Sequence, residues 1–142
     1  MSQDLKQWTI DYIRSRDAAF QQIAEIITDS KEADIVIVHH DGKKKYFLVA
    51  NEFGTDLLAR NITPVTLVVL NTRANLGRVI GCWKQLTDRN GLTLFFVNPN
   101  SSTENKWSVN PAVHARVTEE RALKSGLETL FLTVEEVRGK GG

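Results

Sequence analysis

The densest run of ligand-type side chains is His39-His40-Asp41, with His114 the remaining histidine. Imidazoles and a carboxylate bind metals, but a tetrahedral zinc site needs more such groups than cluster here. Adjacent residues of an extended segment face opposite sides, so His39 and His40 cannot easily share one ion, and the run reads as a strand end opening a turn. Asp34 and Glu52 carry the hard oxygens that fix a divalent ion for metal-assisted hydrolysis. With Asn71 they are the candidate catalytic positions, and Asp34, Glu52 and a histidine are the one metal set the residues suggest. No cofactor is expected otherwise; magnesium or manganese enters only with a nuclease activity. Lys43-Lys44-Lys45 is a basic turn which, with Arg73, Arg78 and Lys84, could contact phosphates. The same lysines would also serve as a solvated hairpin tip that resists aggregation. Trp107 could stack on a base or anchor its polar loop to the core, the second being the simpler reading. Cys82, between Gly81 and Trp83 in a helical pattern, reads as a buried small apolar group rather than an activated thiol. Gly77 and Gly81 lack the Gly-Lys-Ser/Thr text of a phosphate loop, and no serine sits in an elbow motif.

These residues belong to a chain of 142, 42% hydrophobic and 25% charged, the composition of an ordinary globular domain. Eighteen Lys and Arg against seventeen Asp and Glu give a formal charge of +1, which excludes a chain that coats polyanions but leaves room for a local basic patch. A lone cysteine excludes an internal disulfide. No apolar run reaches the ~18 residues of a membrane span, and the polar start has no signal-peptide core. The expectation is a cytoplasmic protein with no membrane partner: one domain over residues 1–138 and a disordered tail at 139–142.

The elements that must position the candidates follow from hydrophobic spacing. Leu5, Trp8, Tyr12, Ala19, Phe20, Ile23, Ile26 and Ile27 recur every three to four residues and predict helix from about Asp4 to Thr28, with Asp17 able to cap a second segment. Ile35 to Val38 is a β-branched run, a strand buried on both faces. Asp41-Gly42 is a hairpin turn, and Tyr46 to Ala50 is the returning strand. After a connector with a short helical stretch near Asp56, Val65 to Leu70 is a third strand. Ala74 to Asp88 is the clearest helix, striped by Leu76, Val79, Ile80, Trp83 and Leu86. Asn90-Gly91 ends it, and Leu92 to Val97 is a fourth strand. Asn100 to Lys106 is a polar loop. Asn110-Pro111 opens a helix to about Lys124, stopped at Ser125-Gly126. Leu127 to Val137 is either an edge strand or a short helix with Thr133 and Glu136 as a capping box.

The predicted architecture is α/β, order α-β-β-β-α-β-α, a mixed four-stranded sheet with helices on both faces. The third and fourth strands form a right-handed parallel crossover. Sites in such sheets gather at strand ends, where this chain places Asn51, Glu52, Asn71, Thr72, Arg73 and Asn98; each asparagine also suits a plain strand-end turn.

That order resembles the restriction-endonuclease-like, PD-(D/E)xK, superfamily. Ala33-Asp34-Ile35-Val36-Ile37-Val38 looks like the strand that carries the family's metal-binding Asp, and Lys45 to Val49 like the strand after it. Leu67-Val68-Val69-Leu70-Asn71-Thr72-Arg73 and its helix are similar to the acid-x-Lys-Thr-Arg passage of Holliday-junction-resolvase-like members. The resemblance covers about Ala33 to Pro99 and implies a nuclease fold with a divalent metal. Its catalytic pair does not carry over. The acid falls on Val69 and the lysine on Asn71 in one alignment, and on Ala50 and Glu52 in the other.

Three functions follow as expectations. The first is a non-catalytic nuclease-like domain with a degenerate site, binding DNA, RNA or a protein partner. The second is a protein-interaction or homodimer module. The third is a metal-dependent nuclease whose site has migrated.

Overall fold

The structure, a computed structural model, describes residues 4–60, 62–117 and 120–137. The chain runs α1 (Leu5–Phe20), β1 (Ile23–Ile27), β2 (Ile35–His39), β3 (Lys44–Val49), a 3-10 turn (Thr55–Ala59), β4 (Val65–Leu70), α2 (Arg73–Gly81), α3 (Trp83–Thr87), β5 (Leu92–Val97), β6 (Lys106–Val109), α4 (Pro111–Val117) and α5 (Glu120–Phe131). The tail expected at 139–142 lies outside the described residues.

The α/β class and the mixed sheet are as expected, but the sheet has six strands rather than four, in the order β1-β2-β3-β4-β5-β6. β1, β2 and β3 form an antiparallel meander, β3, β4 and β5 are parallel, and β6 returns antiparallel to β5. Both added strands are outermost. The hairpin between β2 and β3 turns at Gly42, whose φ of 87° suits a residue without a Cβ.

β1 (Ile23–Ile27) lies within the helix expected to reach Thr28. Asp4 caps α1 by accepting the Gln7 N–H at 3.2 Å, and Leu5, Trp8, Ile10 and Ile13 are its buried stripe. The helix stops at Gln21, which takes a left-handed conformation at φ 50°. Asp17 caps nothing further on; its Oδ1 accepts the N–H groups of Gln22 and Ile23 and turns the chain into β1. Ile23, Ile26 and Ile27 continued the helical spacing only by coincidence. The expected helix at 74–88 is broken at Cys82 (φ −116°, ψ 25°) into α2 and α3. Ser125-Gly126 does not stop a helix either, because α5 continues through both to Phe131.

Helices lie on both faces, unequally. α2, α3 and α5 contribute Leu76, Val79, Leu86, Leu127 and Phe131 to one face, over Val36, Leu48, Leu67, Val69, Leu94 and Phe96. The other face (Ile35, Ile37, Phe47, Val68 and Val97) is covered by α1 through Leu5, Trp8, Ile10 and Ile13. One helix cannot roof six strands spaced ~4.8 Å apart, so part of that face stays open. Leu94, fully buried on the face opposite α1, is expected to cost about 3 kcal/mol when cut to alanine; the measurement is the urea midpoint of Leu94→Ala against the parent.

Candidate functional site

The carboxyl ends of parallel strands are where open α/β sheets place ligands. Here the ends of β4 and β5 are closed by asparagine side chains. Asn71, fully buried, donates through Nδ2 to the carbonyl of Val134 at 3.0 Å, with Glu135 at 3.3 Å and Phe131 at 3.5 Å beside it. Its Oδ1 accepts the Trp107 indole N–H at 2.8 Å. Asn75 binds both strand ends: Nδ2 donates to the carbonyls of Asn51 and Leu70, and Oδ1 accepts the Phe53 N–H. Asn98 donates to the Glu135 carbonyl at 3.0 Å. Residues 131–137 therefore cover this end of the sheet. Thr133 and Glu136 form no capping box. The Glu136 carboxylate instead accepts the Arg73 N–H at the start of α2, where Thr72 also caps by accepting the Asn75 N–H.

The candidate catalytic residues do not converge. Asn71 is a structural tie without exposure. Asp34, half-buried, accepts the Val49 N–H at 2.8 Å and extends the β2–β3 ladder by one rung. Glu52 is exposed on the loop after β3. His39 ends the strand that Asp34 precedes, five residues and ~16 Å away at strand rise, so the metal set of Asp34, Glu52 and a histidine is not assembled. Among the described residues no group of three or more His, Cys, Asp and Glu is placed to hold a metal ion.

The basic candidates divide likewise. Lys43, Lys44 and Lys45 lie at the amino-terminal end of the parallel strands. Arg73 follows the carboxyl end of β4 and is engaged within the fold: it pairs with Glu128 at 2.8 Å and lies 4.9 Å from the Phe131 ring centre. Arg78, exposed, reaches Asn75 Oδ1. Lys84 is exposed on α3, on the side of the sheet opposite α1. One continuous patch is not formed. Trp107 is 4% exposed and stacks on Phe96 with centroids 4.2 Å apart, so it anchors the core.

An open cavity of about 570 Å³ does exist, between the second half of α1 and the part of the sheet that α1 leaves bare. Thr66 of β4 and Thr93 of β5 are register partners on its floor, flanked by Phe47, Phe95 and Ser108. Lys45 stands on one side of it, Lys106 on the other, and Tyr12, Arg16 and Phe20 of α1 form a wall. The Lys106 ammonium sits 4.7 Å from the Phe95 ring centre and 5.3 Å from that of Tyr12. The Arg16 guanidinium is 5.8 Å from Tyr12, whose ring is held by stacking on Trp8. Cations over aromatic faces are positioned without losing their charge. The carboxylate in the groove, Asp17, is bonded to the backbone at the end of α1. The site is thus cationic, aromatic and hydroxyl-bearing, with the His39 imidazole also on its lining.

Of the expected binding residues the groove takes only Lys45. Arg16, Lys106, Phe20 and the two threonines escaped sequence reasoning. A signal was present: Thr66, Thr93, Lys45 and Ser108 interrupt otherwise apolar strands on one face, the mark of a sheet surface that meets water. No protein-family profile, curated protein or solved structure matches this chain. No helix of the described residues is long and apolar enough to cross a membrane.

Two outcomes follow. Asn71→Ala leaves the Trp107 indole N–H and the Val134 carbonyl without partners and is expected to destabilise the fold by about 3 kcal/mol, against less than about 1 kcal/mol for Asp34→Asn, which keeps an acceptor; urea titration checks both. Burial pushes the Cys82 thiol up from its ordinary value. Stability from burying the neutral thiol is therefore full below the free thiol's pKa and is lost as pH rises through the folded one. Ellman's reagent at pH 8 should react with Cys82 more slowly than with free cysteine and catch up once the protein is unfolded in urea.

Proposed function

We propose that this protein is a non-catalytic nucleic-acid-binding domain of restriction-endonuclease-like architecture, with the groove between α1 and the sheet as its binding surface. The observation that carries the reading is that Arg16, Lys45 and Lys106 line one groove, with Lys106 over Phe95 and Tyr12 and Arg16 over Tyr12. Phosphate neutralisation by Lys and Arg supplies most sequence-independent affinity for nucleic acid, and aromatic faces beside such cations accept bases. The architecture is supported by α1, the β2–β3 hairpin and the β4-α2-α3-β5 crossover. The non-catalytic part is supported by the work the candidate acids already do: Asp34 completes a β-ladder, and asparagine stands in the strand-end positions where metal chemistry would need carboxylates.

A second reading, self-association, is favoured by one feature. β1 is an outermost strand that follows Phe20, which is 66% exposed. Such an edge can pair with a second copy.

Fluorescence anisotropy at low salt, with labelled DNA and RNA, tests the first reading. Three phosphate contacts predict that log K falls with log salt at a slope of about −2 to −3. Lys45→Glu and Lys106→Glu should each weaken binding, and Lys84→Glu should not. Manganese should produce no cleavage in the same samples. Absence of binding at low salt removes the reading, and a mass that doubles with concentration supports the second one.

A further inference from the structure

We infer that the groove takes an unpaired polynucleotide strand, bases turned towards the sheet, rather than a duplex; this rests on the nucleic-acid reading above. Arg16 and Lys45 are exposed, but Lys106 is half-buried. Lys106 lies against the faces of Phe95 and Tyr12, between helix and sheet, so a phosphate must enter the groove to meet it. A flexible single strand can follow the groove to that ammonium, where a rigid duplex lying across α1 cannot. The floor gives the second argument. Phe95 is half-buried, with Lys106 over its ring and Tyr12 edge-to-face against it, and Thr66 and Thr93 lie side by side in register, which offers apolar ring surface and hydroxyl partners together. Unpaired bases present both a π-face and free hydrogen-bonding edges; in a duplex the faces are stacked away. The third argument is Phe20. It stands 66% exposed at the mouth of the groove, and no aromatic contact to it is formed among the described residues, so its ring is available to a base.

The geometry also sets a length. By the strand pairings, Lys45 and Lys106 are three strands and six residues apart, a diagonal of about 25 Å. That span suits a footprint at the short end of the roughly 4–16 nucleotides covered by single-strand-binding sheets. Charge complementarity commits the groove to a polyanion. Its apolar area alone would equally suit a peptide.

The test compares a labelled single strand of about 12 nucleotides, as DNA and as RNA, with its own duplex. The single strand should bind at least about tenfold more tightly than the duplex, and Phe20→Ala should lower that affinity about tenfold, with Phe20→Trp restoring it. Phe20 is exposed, so its removal should leave the urea midpoint unchanged. Equal affinity for strand and duplex overturns this inference and leaves the nucleic-acid reading standing; no affinity for either overturns both. Unchanged single-strand binding in Phe20→Ala removes the base contact and with it the stated orientation of the strand. A preference between DNA and RNA identifies which single strand is the ligand.

Discussion

The buried amide of Asn71 is the interaction on which the carboxyl end of the sheet depends. Fully enclosed, it accepts from the Trp107 indole and donates to backbone carbonyls beyond α5. In a site of low dielectric an amide without partners is expensive and a satisfied one is firm. Its own backbone continues the pattern: the N–H donates to the Val97 carbonyl, and the carbonyl accepts the Val137 N–H. One residue therefore joins β4, β5, β6 and the segment after α5. With Asn75 holding the ends of β3 and β4, and Asn98 reaching Glu135, the strand ends are spent on the protein itself. An architecture that commonly opens a crevice here has closed it.

Closure at one end shifts attention to the face that α1 incompletely covers. α2, α3, α4 and α5 lie on one side of the sheet, α4 packing on α3 and β5, and α1 alone lies on the other, so exposure arises from the count of helices rather than from a dedicated pocket-forming loop. The uncovered floor is polar where it must be. Thr66 and Thr93 fall on the open face, while their neighbours Val65, Leu67, Leu92 and Leu94 are buried on the opposite side. Strand alternation thus places a water-compatible surface directly behind a close-packed core.

Much of this was legible in the chain. The β2–β3 hairpin, with Asp41-Gly42 at its tip, and the crossover between β4 and β5 follow from local chemistry: a turn dipeptide and two apolar runs around an amphipathic helical pattern. Asn110 also behaves as a helix start, accepting the Val113 N–H. The edges were harder. β1 hides behind isoleucines whose spacing fits a helix, and the break depends on Gln21, a residue type that seldom marks a left-handed stop. β6 has four residues, too few for alternation to be distinctive. The candidate site was the least legible part. Side-chain type marked Asp34 and Asn71 as chemistry, whereas their surroundings make them backbone partners, and Lys106 and Arg16 acquire interest only from the rings they lie against. The Arg16–Tyr12 contact is a pair four residues apart on α1, but those of Lys106 join α1, β5 and β6, and no local pattern reports them.

The partners of Asn71 also impose an order of events on synthesis. Its side-chain amide is made more than sixty residues before the Val134 carbonyl that it binds, and the Glu136 carboxylate that meets the first turn of α2 arrives later still. A growing chain can pair β2 with β3 and β4 with β5 while that end of the sheet stands open. Until then the strand ends are wet, unclosed and accessible to other chains. Residues 134–137 are the latch, and until they are made these strand ends have no partner from the segment after α5.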